Sequence, residues 1–187
     1  MRFNFPAFLI AAFFCLLMVT GAAAGVVVYF QSASVPPTPF KQRLAKERGE
    51  IAHIEPGIMI AGEMLRPAGD GPFPALVILH GCGGLSLRTG QIKAERYASW
   101  GYVVLRFDSF AARGIESGIE KTCLNPPMVD RAADAIGALD FLAQLPFVDP
   151  ARIAVVGFSL GGAAALAAIN ANDAAILSVN RFKAAVL

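Results

Sequence analysis

Short apolar runs alternate with segments of helical periodicity along most of this chain. Three runs are almost wholly apolar, as is typical of strands buried on both faces of a sheet. They lie at residues 75–80, 102–107 and 152–156. Between and after them, apolar residues recur at helical spacing or small residues dominate. These segments predict helices over about 91–100, 128–145 and 160–170.

Strands that alternate with helices predict an α/β domain with a mostly parallel sheet covered on both faces. Ahead of the buried runs, residues 51–66 are expected to form two strands joined at Pro56-Gly57. A last strand, predicted from residue 182, ends with the chain at residue 187. Such sheets normally continue through further units of ~30 residues. We therefore expect residues 51–187 to be a partial domain, cut short at its C-terminus.

The N-terminal segment is an uncharged apolar stretch over residues 5–30, preceded by Arg2. It exceeds the ~20 residues that cross a bilayer. It predicts either a signal peptide cleaved after the small residues 22–24 or an uncleaved membrane anchor that continues to residue 30. Residues 31–50 are expected to be a linker. We expect an exported or anchored protein, in a bacterium periplasmic or otherwise extracytoplasmic; the basic residues after the stretch leave a cytoplasm-facing anchor open.

The composition argues against nucleic-acid binding and against a metal site. The formal net charge is +2 and only 16% of residues are charged, with no basic block, so nucleic acid is not an expected partner. Three cysteines without a paired spacing and only two histidines make a zinc site unexpected. We expect neither a metal nor a cofactor.

The sequence Gly157-Phe158-Ser159-Leu160-Gly161 follows a predicted strand and opens a predicted helix. In that context Gly-x-Ser-x-Gly is typical of a nucleophile elbow, a sharp turn that exposes the serine hydroxyl. We call residues 157–161 the elbow. Ser159 is then the nucleophile, and the backbone N–H of Leu160 is one donor to the oxyanion of the transition state. The alternative is a glycine-rich helix start with Ser159 as an ordinary N-cap.

A second glycine-rich segment, His80-Gly81-Cys82-Gly83-Gly84, follows an earlier buried strand. We call residues 80–84 the oxyanion loop, because a loop at this place supplies the second oxyanion donor in this type of fold. The backbone N–H of Cys82 is the candidate. The spacing of a phosphate-binding loop is absent from the sequence.

Three segments of the chain resemble the dienelactone hydrolase family of α/β-hydrolases. They are HGCGGL from His80, GYVVLRFDSFAARGI from Gly101 and LPFVDPARIAVVGFSLGG from Leu145. The resemblance spans residues 58–187. It implies a three-layer α/β-hydrolase sandwich that cleaves small esters or lactones through a covalent acyl-enzyme, without metal. The founding enzymes carry cysteine at the elbow, where this chain has Ser159, which points to general esterase chemistry.

Three residues near the predicted site are further candidates for binding substrate: His80, Gly81 and Arg113. The acid and base of a triad are missing. After Ser159 the sequence contains no histidine and one carboxylate, Asp173, which we do not assign to the triad because it lies just beyond the elbow helix. Of the upstream histidines, we expect His80 to orient loops rather than to act as the base.

We therefore expect a C-terminally truncated serine hydrolase, inactive over these 187 residues. The alternative is a membrane-anchored α/β remnant that serves as a binding module without catalysis. Cys82 and Cys123 lie in loops that gather at one face of a parallel sheet, so that export would permit a disulfide between them. Two free thiols are the alternative.

Overall fold

The protein is described here by a computed structural model that covers residues 25–85, 87–116, 123, 125–170 and 178–187. Over these residues six strands form one sheet in the order β1-β2-β4-β3-β5-β6. The strands are β1 (Val26–Gln31), β2 (Met59–Leu65), β3 (Phe73–Leu79), β4 (Val103–Phe107), β5 (Val148–Gly157) and β6 (Ala184–Val186). The helices are α1 (Pro39–Glu47), α2 (Leu87–Ser99), α3 (Met128–Ala143) and α4 (Leu160–Ile169), and a short 3-10 helix spans Ala111–Arg113.

The central strands β4, β3, β5 and β6 run parallel, while β1 and β2 are antiparallel to their neighbours. Alternate residues of β3 face opposite layers. Val77 packs in the larger core with α3 and α4, whereas Ile78 packs with Ala94 and Ala98 of α2. Because helices cover both faces, these strands need apolar residues at every position, which explains their continuous apolar runs. The three-layer α/β arrangement expected from the sequence is confirmed.

The N-terminal apolar stretch does not continue as a span to residue 30. Val26–Gln31 form β1, which pairs antiparallel with β2, and Phe30 packs edge-on against Phe107 with ring centroids 5.1 Å apart. A run of valines followed by two aromatic residues favours a strand, a preference that apolarity alone does not reveal. No helix in the part of the chain described here is long and apolar enough to cross a membrane. The predicted signal peptide over residues 1–24 lies outside the described residues.

The prediction of a linker over residues 31–50 is also wrong in part, because helix α1 lies within this segment. Thr38 is its N-cap, accepting a hydrogen bond of 3.2 Å from the N–H of Lys41, and a proline occupies the first helical turn. Both features favour a helix start. Residues 51–66 contain one strand, β2, instead of two; ahead of it Glu55 makes only an isolated bridge with Val35.

Candidate active site

The elbow joins β5 to α4 at Ser159, whose φ of 55° and ψ of −120° make it the one non-glycine residue with positive φ among those described. Such a conformation costs ~1–3 kcal/mol and persists only where the surroundings impose it. A Cβ on Gly157 would lie 2.2 Å from the carbonyl oxygen of Gly161, and one on Gly161 would lie 2.3 Å from that of Leu79. Glycine is therefore required at both flanking positions, as the sequence pattern predicts.

The hydroxyl of Ser159 does not cap the helix that follows it. Its side chain is exposed and makes no capping hydrogen bond to α4, so the ordinary N-cap interpretation is wrong. The N–H groups of Gly161 and Gly162 donate to the carbonyls of Phe158 and Ser159, both at 2.8 Å. No described residue accepts from the N–H of Leu160. The first N–H of the helix thus remains available to a ligand beside the serine.

The oxyanion loop lies directly against the elbow. Phe158 N–H donates to the carbonyl of Leu79 at 3.1 Å, which ties the elbow to the end of β3. A Cβ on Gly81 would lie 3.1 Å from the carbonyl oxygen of Phe158 and 3.8 Å from the Oγ of Ser159. Gly81 therefore lets the loop backbone approach the nucleophile more closely than a larger residue would.

His80 is buried at the start of this loop and has partners on both ring nitrogens. Nδ1 lies 2.7 Å from the carbonyl oxygen of Gly81, which can only accept a hydrogen bond. Nε2 accepts from the backbone N–H of Ser109 at 3.1 Å. Both ring nitrogens are thus engaged by groups of the protein itself. That His80 orients the loop remains a prediction.

Asp108 lies at the end of β4, with Oδ1 3.4 Å from Nε2 of His80. Oδ1 also accepts hydrogen bonds from the N–H groups of Phe110 at 2.8 Å and Ala111 at 3.2 Å. Partial burial acts to raise the pKa of this carboxyl, but the His80 ring and the two backbone donors outweigh it and lower the pKa to about 2. Asp108 is therefore ionised at neutral pH and fixes the turn that follows β4.

Arg113, a candidate for binding substrate, is engaged within the protein. Its Nη1 and Nη2 donate to the two carboxylate oxygens of Asp134, each at 2.9 Å, and Nη1 also donates to the carbonyl of Ser109. The Asp134 side chain is completely buried on α3. This bidentate pair holds the loop after β4 to α3. The guanidinium of Arg113 therefore stabilises the fold, and its Nη atoms are already hydrogen-bonded within the protein.

Arg131 on α3 was not singled out from the sequence, although it is only 1% exposed. Its Nη2 donates to the backbone carbonyl of His80, and its guanidinium lies 5.2 Å from the ring centroid of Phe110. Its Nε and Nη1 have no hydrogen-bond partner among the described residues. Burial lowers the pKa of this guanidinium. The sequence does contain a signal for Arg131. Both Arg131 and Asp134 are charged residues that lie on the otherwise apolar face of a predicted helix.

The structure joins Cys82 and Cys123 in a disulfide, with their Cα atoms 4.8 Å apart. Of the two alternatives left open by the sequence, the bridge is the one observed. It links the oxyanion loop to the segment that precedes α3. Asp173, the one carboxylate after Ser159, lies outside the described residues. Within the described ranges no cluster of side chains is suited to holding a metal ion.

A cavity of about 90 Å³ lies beside the oxyanion loop, on the face of the sheet that α2 covers. It is lined by Ile78, His80, Gly81, Gly84, Leu85, Gly90, Lys93 and Phe158. Lys93 Nζ sits 3.4 Å from the ring centroid of Phe158, the residue before the nucleophile. The Lys93 ammonium thus covers one side of the elbow through a cation–π contact.

Comparison with known proteins finds relatives in sequence and in structure. Uncharacterized protein YcjY of Escherichia coli is 35% identical over 89 residues, which cover 48% of this chain and 28% of that protein. The quorum-quenching protein AidA of Acinetobacter baumannii is 30% identical over 116 residues, covering 62% of this chain and 37% of AidA. The matches therefore span about a third of the length of these curated relatives.

Among solved structures, hypothetical protein PA2218 from Pseudomonas aeruginosa superposes with a TM-score of 0.58 at 23% identity, over 97% of this chain and 47% of that one. Dienelactone hydrolase from Anabaena variabilis superposes with a TM-score of 0.53 at 19% identity, over 79% and 57% of the two chains. A sequence profile of the dienelactone hydrolase family matches residues 60–180, which is more than half of the chain. The chain therefore belongs to the dienelactone hydrolase family.

Proposed function

We propose that this protein is a serine hydrolase that cleaves small carboxylic esters or lactones through an acyl-enzyme on Ser159. One observation carries the proposal: Ser159 is held in a strained backbone conformation with its hydroxyl exposed and unused by the helix it precedes. Strain of this kind is maintained where it positions a reacting group. Membership of the dienelactone hydrolase family supports the same class of chemistry.

The reaction begins with attack of Ser159 Oγ on the carbonyl carbon while a base takes the hydroxyl proton. The carbonyl oxygen becomes an oxyanion, which the N–H groups of Leu160 and Cys82 stabilise; one such donor is worth ~3 kcal/mol of barrier. The C–O bond to the alcohol then breaks, and the alcohol leaves with the proton. Water repeats these steps on the acyl-enzyme to release the acid and restore Ser159.

The base is not supplied by the described residues around Ser159. His80 engages both ring nitrogens with backbone groups, and His53 is exposed ahead of β2. In α/β-hydrolases the acid and then the histidine follow the nucleophile along the chain, and these 187 residues hold no histidine after Ser159. We therefore propose that these residues alone turn over esters slowly or not at all, since a serine hydroxyl without a base is a weak nucleophile.

Export of the protein is part of the same proposal. Disulfides persist in oxidising compartments and are rare in the cytosol, so the Cys82–Cys123 bridge favours an extracytoplasmic location. The apolar stretch at the N-terminus supplies the sequence feature that export needs.

The experiment that tests the function is covalent labelling. Residues 25–187 are fused to the downstream segment of a longer family member that itself reacts with a fluorophosphonate probe. We expect the chimera to be labelled at Ser159, and Ser159→Ala to be unlabelled while it unfolds at the same temperature. A folded chimera that stays unlabelled, beside a labelled parent, would contradict acyl transfer at this site.

A further inference from the structure

The cavity beside the oxyanion loop is lined mainly by apolar side chains and by glycines. We call it the α2 cavity, because residues of the first turns of α2 form one of its walls. Ile78 of β3, Leu85 and Phe158 supply its apolar lining, and Gly81 and Gly84 line it from the oxyanion loop. Its volume of about 90 Å³ is about three times the share of one water molecule in the liquid. The cavity therefore suits a ligand of a few carbon atoms.

Lys93 on α2 brings an ammonium group to this cavity. Its Nζ sits 3.4 Å from the ring centroid of Phe158. None of the ion pairs in the described part of the chain involves Lys93. The side chain is half-buried, so its positive charge is only partly hydrated. A cation that faces an apolar cavity without a carboxylate partner attracts an anion placed there more strongly than a fully hydrated one does.

A second cation lies behind the same wall. Arg106 of β4 is only 3% exposed; its Nε donates to Glu63 at 2.7 Å and its Nη2 contacts the same carboxylate. Its Nη1 has no hydrogen-bond partner among the described residues. A Cβ built on Gly90 would lie 3.2 Å from this Nη1 and 3.8 Å from Cδ1 of Leu85, and both of these residues line the cavity. Because residue 90 has no side chain, the unsatisfied Nη1 lies next to the cavity, where an acceptor would satisfy it.

Two carboxylates contact residues around the cavity, and both are already engaged. Glu63 is held by Arg106, and Asp108 lies 3.4 Å from Nε2 of His80 and accepts two backbone N–H groups. Neither carboxylate lines the cavity. Gly90 is in the N-terminal turn of α2, where the helix dipole is positive. The charges around the cavity therefore favour a negatively charged ligand.

We propose that the α2 cavity binds a short-chain carboxylate. The carboxylate group lies between Nζ of Lys93 and Nη1 of Arg106, and the alkyl chain lies against the apolar lining. Such an anion is the acid that hydrolysis of a small ester releases, and this meaning rests on the proposed function. The binding itself rests on the cavity and its charges alone. The site is separate from the nucleophile, because Ser159 does not line the cavity.

The binding test is a titration of the full 187-residue chain with sodium propionate at neutral pH, followed by the amide resonances of Gly84 and Gly90. 1-Propanol has the same chain length without the charge, and sodium chloride matches the ionic strength. We expect saturable shifts with propionate, with a Kd on the order of 1–10 mM for so small a ligand, and none with either control. No saturable shift with propionate, or the same shift with 1-propanol or chloride, would overturn the carboxylate site.

The role of Lys93 is tested against a neighbouring cation. Lys93→Met keeps most of the apolar stem and removes the charge, whereas Arg96→Met removes an exposed charge of the same helix outside the cavity. We expect Lys93→Met to weaken propionate binding by about tenfold or more, and Arg96→Met to change it by less than about twofold. Equal weakening in the two variants would reduce the effect to a general attraction by a basic helix and overturn the assignment.

Gly90→Ala tests the second cation and keeps the charge of Lys93. The new methyl group would lie 3.2 Å from Nη1 of Arg106 and so occupy the space between that nitrogen and the cavity. We expect propionate binding to weaken by about threefold or more. The unfolding temperature without propionate shows whether each variant is folded. Unchanged binding in a folded Gly90→Ala would contradict the contact with Nη1.

Ser159→Ala separates the α2 cavity from the catalytic centre. We expect this variant to bind propionate as the wild type does. Loss of binding would mean that the acid occupies the place of the acyl group at Ser159, which would overturn a separate site. A chimera that is never labelled at Ser159 would instead contradict the proposed function, while the propionate titration still decides whether the cavity binds a carboxylate.

Discussion

Gly81 touches Ser159: a Cβ built on Gly81 would lie 3.2 Å from the Cβ of Ser159. The oxyanion loop and the elbow are therefore in contact through a position that only glycine fills without displacement. Gly83, two residues further along the same loop, has no atom within 4 Å of the place where its Cβ would lie and no positive φ. The loop thus contains one glycine required by the site and one that the local space does not require.

We expect Gly81→Ala to slow acylation of Ser159 in the labelled chimera by about tenfold, because the new methyl group must push the loop and the elbow apart by a few tenths of an ångström. Gly83→Ala is the matched control and should retain the wild-type rate. Rates of fluorophosphonate labelling compare the two directly. Equal rates for Gly81→Ala and Gly83→Ala would contradict the close approach.

Two neighbouring glycines at the elbow, Gly161 and Gly162, are expected to differ in how much alanine changes the free energy of unfolding. A Cβ on Gly161 would lie 2.3 Å from the backbone oxygen of Leu79, which cannot move away, whereas one on Gly162 would meet its nearest atom at an ordinary 3.4 Å. We expect Gly161→Ala to lower the free energy of unfolding by about 3 kcal/mol or to prevent folding. Gly162→Ala should be neutral or stabilising by up to about 1 kcal/mol, since alanine is the better helix former. Urea denaturation measures both, and a reversed order would be inconsistent with the elbow geometry.

Asp108 predicts a loss of stability in acid. Its pKa falls from 3.8 in the unfolded chain to about 2 in the folded protein, so its contribution is fully present above pH ~4 and is lost as the pH falls toward 2. The shift corresponds to at most about 2 kcal/mol. Asp108→Asn keeps an acceptor for the N–H of Phe110 but removes the charge. We expect the variant to be less stable at pH 7 and to show a shallower loss between pH 4 and 2 in denaturant titrations. A wild type and variant with parallel pH profiles would refute the assignment.

Because Cys82 and Cys123 form a disulfide, we expect neither cysteine to be alkylated until the protein is reduced. Mass spectrometry of protein taken from its native compartment, alkylated without reduction, decides this. Removing the bridge in Cys82→Ser/Cys123→Ser should lower the free energy of unfolding by about 2–4 kcal/mol, because the unfolded chain regains the freedom of a loop of 41 residues. Two alkylated thiols at positions 82 and 123 in unreduced protein would exclude the bridge.

The sequence predicted those parts of the fold that depend on local pattern. The strands β3, β4 and β5 and the elbow are predicted correctly because the apolar runs are short and Gly-x-Ser-x-Gly stands between a predicted strand and a predicted helix. β1 was missed because an apolar run of valine and aromatic residues satisfies a membrane span as well as a strand. α1 was missed because its start, Thr38-Pro39, also has the composition of a linker.

The polar network behind the oxyanion loop could not be predicted in the same way. Its members come from three separated segments, and nothing in the local sequence of His80 specifies Ser109 or Arg131 as its partners. The pairing of Arg113 with Asp134 likewise depends on how the loop after β4 folds back on α3. These contacts follow from the order of strands in the sheet, which brings the ends of β3 and β4 together.

We propose that Ser159 is the nucleophile, and the described residues around it supply no base. Fluorophosphonate labelling tests it most directly, on residues 25–187 alone and on the same residues fused to the downstream segment of a reactive family member. We predict little or no labelling of the first and stoichiometric labelling of the second at Ser159, abolished in Ser159→Ala. Rapid labelling of residues 25–187 alone would show that a base already lies within them, and a folded chimera that stays unlabelled would contradict the nucleophile itself.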